Sequence, residues 1–250
     1  MTAGTAGAPA ARRGSEQRGL LLAMLRLHRS ALCFWLGLVA VAAGSLLWAL
    51  GPGADAAWTE YRAMGCDGGS PNLGCDLPGP ANGRYETVVT VATGLLSLLP
   101  VITAAWAGGA LIGRELEDGT ARLAWTQSVT PARWLAAKLA VPALLLVPGT
   151  LAVMLLHRAL WSSDGHLQRV LGWREWHSDS VFEANGTLVT ARVLAALALG
   201  VLAGLLLRRA LPALGAAVLA TVSLIHVLDE VRPHLWPTPP GKHALMHEHP

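Results

Sequence analysis

The side chains best suited to chemistry in this chain crowd into one stretch, Arg114–Lys138, which reads RELEDGTARLAWTQSVTPARWLAAK. Three carboxylates, Glu115, Glu117 and Asp118, fall within four positions and are followed by Gly119 and Thr120. Leu123 and Trp125 then offer bulk, and Arg133, Trp134 and Lys138 close the stretch. Such a set can dock a partner by charge and by an apolar knob, but it holds no nucleophile beside a base. No GxxxxGK[ST] phosphate loop, no HExxH and no GxSxG elbow occurs anywhere in the chain. The C-terminal run HALMHEHP places His243, His247 and His249 near Glu248, which is read as a polar tail rather than a metal site. Asn185-Gly186-Thr187 matches a glycosylation acceptor and is read as chance. No catalytic residue, no metal site and no cofactor bound by this chain are therefore expected.

Cys66 and Cys75 stand nine positions apart in CDGGSPNLGC, a Gly-, Pro- and Asn-rich stretch that must turn. Closing so short a loop with a disulfide would restrain it in an oxidising compartment. Two free thiols are the other reading. Zinc is disfavoured, because four ligands at finger spacing are missing. Cys33, within an apolar run, reads as a small apolar residue.

The elements that must position these residues follow from composition. Of 250 residues, 53% are hydrophobic and 14% charged, and the mean hydropathy is +0.44. A soluble domain carries roughly a quarter charged residues. The apolar bulk is Ala, Leu, Val and Gly, and small residues let helix backbones approach closely in lipid. Two lysines against 17 arginines, with abundant alanine, point to a GC-rich bacterial genome. The net charge of +3 is small, and no nucleic-acid partner is expected. About 20 consecutive apolar residues cross a bilayer, which predicts five spans: 31–50, 87–112, 135–156, 188–207 and 210–228. The expected class is all-α, a polytopic membrane protein with its transmembrane domain over 31–228. Residues 1–19 are expected to be a disordered tail. Residues 20–30 form either an interfacial helix or the ragged start of the first span. Arg192, inside the fourth predicted span, is expected to snorkel to the nearer interface.

Basic residues orient the spans. With the N-terminus inside, the tail, the 113–138 segment and the Arg208-Arg209 turn hold 11 of the 19 basic residues in short stretches. The outer loops 52–86 and 157–187 and the tail 229–250 hold seven over a greater length. The reading is a bacterial plasma-membrane protein with a cytoplasmic N-terminus and an outer C-terminus. Trp134, Lys138, Arg208 and Arg209 are expected as anchors at the inner interface. Gly119 should break the helix leaving the second span, with Thr120 capping a short helix over 121–126. Thr130 should cap again, with Pro131 in the first helical position of the third span.

These residues resemble the ABC-2 type permeases, in particular a group common in actinobacteria. The resemblance is carried by Glu115-Leu116-Glu117, Gly119-Thr120, Leu123–Val129, Arg133-Trp134-Leu135 with Lys138, Leu207–Ala213 and Arg232–Leu235. It extends over about residues 20 to 240. It implies a type V exporter-like bundle in which the 113–134 segment is a coupling loop docking on a separate ABC ATPase subunit, with ATP and Mg held by that partner. It further implies a homodimer or heterodimer of permeases, and an exporter of a small-molecule or lipid-like substrate. Glu115, Glu117, Gly119, Thr120, Leu123, Trp125 and Arg133 would form the docking element. Other family members often carry Pro where this chain has Ser128, and an acid where it has Arg122. The family usually has six spans, so the chain is expected to lack the last. A non-transporting membrane anchor or regulator on the same scaffold, or a truncated relic, is the alternative. An intramembrane enzyme would need a reactive cluster inside the spans, which carry only isolated groups such as Arg192 and scattered hydroxyls.

Overall fold

The computed structural model describes residues 29–65, 79–126, 130–163 and 179–235. The N-terminal tail, most of 20–30, Cys66, Cys75 and the histidines after Leu235 lie outside the described residues. Every regular element among those described is helical.

Helix α1 (Arg29–Trp48) runs through a π-helical segment, Ala49–Gly53, into α2 (Ala54–Ala63). The wide turn holds Pro52, which has no N–H to give to an α-helical ladder. Helix α3 (Pro80–Trp106) continues through a second π-helical segment, Ala107–Gly113, into the single turn α4 (Arg114–Glu117). Its start is fixed by Pro80 in the first helical position and by Glu60 of α2, whose Oε2 accepts the Asn82 N–H at 2.8 Å. Then follow α5 (Thr120–Thr126), α6 (Pro131–Ser163), α7 (Asp179–Asn185), α8 (Leu188–Leu207) and α9 (Ala210–Leu235).

Five helical stretches are long and apolar enough to cross a membrane: Arg29–Ala63, Pro80–Glu117, Pro131–Ser163, Leu188–Leu207 and Ala210–Arg232. The chain is thus an all-α, multi-pass membrane protein. The helices outrun the apolar runs that predict them. Residues expected in the outer loop 52–86 form α2 and the first turns of α3, and the loop 157–187 contains the end of α6 and all of α7. Hydropathy marks the width of the hydrocarbon layer. Backbone hydrogen bonding continues beyond it wherever a cap such as Glu60 stabilises the end.

Helix α8 lies at the centre, packed against α3, the second π-helical segment, α9 and α6. The joint is tight because it is made of small residues. A Cβ on Gly200 would stand 2.6 Å from Ala107 Cβ, and one on Gly108 would stand 2.7 Å from the Ala213 carbonyl oxygen. Backbones approach this closely only where a side chain is missing, and in lipid such van der Waals contact is what holds helices together. The outside is apolar as well. Leu144, Leu206, Leu211 and Leu219 are 70–80% exposed, a surface suited to acyl chains and unsuited to water.

Candidate functional site

The segment between the second and third spans is built as short helix, break, short helix, break, long helix. Gly119 has φ +72, a left-handed conformation that glycine adopts without a Cβ clash, and it separates α4 from α5. Thr120, expected as the cap before 121–126, opens α5. Its hydroxyl donates backwards to the Glu115 carbonyl at 3.1 Å. The turn that Gly119 makes brings the hydroxyl over the end of α4, where carbonyls lack helical partners. Thr130 does act as a cap: its Oγ1 accepts the Arg133 N–H at 3.4 Å, and Pro131 opens α6 behind it.

Two acidic residues fasten this segment to different spans. Glu115 forms an ion pair with Lys138, one helix away on α6. The Lys138 side chain is wholly buried, while that of Glu115 is 18% exposed. Glu117 reaches the other way, its Oε2 accepting the Ala210 N–H at 2.8 Å. It thereby caps the N-terminus of α9 and complements the positive end of that helix dipole. The Arg114–Asp118 pair, at 3.8 Å and largely exposed, contributes little by comparison.

The side chains of Trp134 and Lys138, expected at the inner interface from their types, are turned into the bundle. Trp134 is 5% exposed, and Lys138 Nζ lies 5.9 Å from its ring centroid. The reason is tertiary: α4 supplies a carboxylate that makes burial of the ammonium tolerable. Arg208 and Arg209 are exposed in the turn between α8 and α9, with Arg208 itself left-handed at φ 52. Arg133 is exposed on the first turn of α6. For Leu123 and Trp125 only the backbone, within α5, is described.

The end of the bundle remote from this segment holds polar contacts that the sequence reading missed. Arg192 does not snorkel to the boundary. It is 8% exposed, with Nη1 2.7 Å from Glu183 Oε1 of α7 and Nη2 paired to Asp229 of α9. Two carboxylates from neighbouring helices satisfy it better than an extended side chain in the headgroups would. The Arg232 guanidinium sits 3.9 Å from the Phe182 ring centroid, joining α9 to α7 a second time. His157 on α6 is fully buried, with Nδ1 2.8 Å from Asn185 Oδ1 and Nε2 3.3 Å from Thr93 Oγ1. The signal for the ion-paired group was available: one arginine inside an apolar run, flanked in sequence by acids just outside the adjoining runs. No group of three or more His, Cys, Asp or Glu that could hold a metal ion occurs among the described residues.

A family model described as ABC-2 membrane transporter related matches residues 36–232, from the first turns of α1 to near the end of α9. No curated protein and no solved structure matches the chain.

Proposed function

We infer, from the premise that the chain belongs to the ABC-2 membrane transporter related family, that it is the membrane-spanning subunit of an ATP-driven exporter. In this reading residues 114–134 are the coupling element, and they dock on a separate ABC ATPase that binds ATP and Mg. The observation that carries the reading is the double fastening of that segment. Glu115 pairs with Lys138 of the third span, and Glu117 caps the fifth span at Ala210. A push on α5 is thereby delivered to two spans at once, because a buried ion pair and a capped helix end resist being pulled apart. A segment serving only as a turn would have no use for either contact.

The basic residues of Arg208-Arg209 and of the 113–138 segment support a cytoplasmic placement of this end of the bundle. In the same reading the permease works as a dimer, and Cys66 and Cys75 lie in an outer loop where a disulfide persists.

The test is co-purification in mild detergent from the native host. Leu123→Asp combined with Trp125→Ala should abolish recovery of the ATPase while leaving membrane insertion intact. Recovery of an unchanged amount of ATPase with the double variant overturns the docking role. A chain that binds the ATPase but never supports substrate-stimulated ATP hydrolysis is instead an anchor or regulator on the same scaffold.

A further inference from the structure

Beside the coupling segment lies a cavity of about 1300 Å³, walled by the first turns of α1, the end of α3 with its π-helical segment, the start of α6 and the first turn of α9. Pockets for drug-sized molecules run to roughly 300–1,000 Å³, so one such ligand fits with room to spare. Its chemistry is uneven. Phe34, Trp35, Trp106 and Trp134 all line it, while its charged groups, Arg114, Glu115, Asp118 and Lys138, lie on α4, the adjoining turn and the first turns of α6.

The sign of the ligand follows from which polar capacity is already used. Lys138 is wholly buried against Glu115 and beside the Trp134 ring, so it has little left to offer an anion. Arg114 is 76% exposed, where water competes for its donors. Glu115 is different. A carboxylate has about four acceptor positions, and at 18% exposure this one sits partly out of water with a lysine on one oxygen. Aromatic faces attract positive charge and repel negative charge, and Phe34, Trp35, Trp106 and Trp134 line the same cavity. Acceptor capacity and aromatic rings thus share one half-open cavity.

We propose that this cavity binds a lipophilic organic cation, a flat aromatic ring system bearing a delocalised or amine charge. The rings lie against the indoles, and the charge is met by Glu115. The proposal deepens the transport reading and rests on it for the ligand's role as cargo. It also places cargo and coupling at one carboxylate: a cation at Glu115 shares the group that holds α4 to Lys138. Occupancy of the cavity is then felt where the ATPase docks.

The test uses the full chain in phosphatidylcholine nanodiscs without any ATPase, with ethidium as the cation and 1-anilinonaphthalene-8-sulfonate as an anion of comparable size. Ethidium should bind saturably and quench tryptophan fluorescence, and the anion should do neither. Trp106→Ala should weaken ethidium binding about tenfold. Val141→Trp, which fills the cavity from α6, should abolish it. Glu115→Gln with Lys138→Met removes both charges, leaves neither partner stranded and should also cost about tenfold. Equal binding of the anion overturns the proposal. So does ethidium binding that Val141→Trp leaves unchanged, or a retained phospholipid that ethidium does not displace. The two readings fail separately: absent ethidium binding with a co-purifying ATPase refutes the cargo class alone. Ethidium binding that never stimulates ATP hydrolysis refutes the transport role alone.

Discussion

At the scale of single residues, what matters is how the few charges inside the bundle are neutralised. Lys138 and Arg192 are both buried, at opposite ends, and both are paired with acids from other helices. Removing one partner of such a pair leaves an uncompensated charge and costs about 3–5 kcal/mol, whereas replacing both with apolar or neutral groups of similar volume is often harmless. Lys138→Met should therefore lower the thermal unfolding midpoint in detergent sharply, and adding Glu115→Gln should recover most of the loss. Equal midpoints for the single and double variants would show that the pair is not stabilising the bundle. Residue types suggested the outline of this site but assigned Lys138 and Arg192 to the lipid boundary. Sequence reveals that a charge lies in or beside an apolar run. It does not reveal that Glu115, Glu183 or Asp229 comes within reach, because those contacts span from nine to 37 positions of chain.

At the scale of elements, the joint between α8 and the π-helical segment is tight and central to the bundle. Its small residues leave no room for a side chain at Gly200. Gly200→Leu should force α8 away from Ala104 and Ala107, with the chain still inserted but recovered in much lower yield as a monodisperse species on size exclusion. A variant as monodisperse as the native chain overturns the assignment of this contact as the central joint. Glycine is modestly costly within a helix by itself, so its placement here makes sense only through packing. The element boundaries show the same division. Pro80 and Pro131 mark helix starts from sequence alone, while the Glu60 cap on α3 requires a residue 22 positions earlier.

At the scale of the whole molecule, the five helices make one bundle with an apolar exterior and its charges gathered toward the two ends. The proposed orientation can be measured. In a background lacking Cys33, Cys66 and Cys75, a cysteine at Arg209 should react with a membrane-impermeant maleimide only after the cells are opened. A cysteine at Ser162, exposed near the end of α6, should react in intact cells. The reverse pattern inverts the topology and moves the coupling segment away from any cytoplasmic ATPase.

The class, five apolar helices crossing a membrane, is legible in the chain's hydropathy, because hydrocarbon thickness and backbone hydrogen bonding leave few other solutions. The sequence also marked the Arg114–Lys138 segment as a structured stretch between two spans, since charge, glycine and capping residues are local signals. What that segment is fastened to depends on how the helices pack. The packed bundle brings Lys138 under Glu115, Ala210 against Glu117 and four aromatic rings around one cavity. Hydropathy is a property of each residue, but desolvation is a property of its neighbours, and in this bundle neighbours far apart in the chain set which charges can be buried.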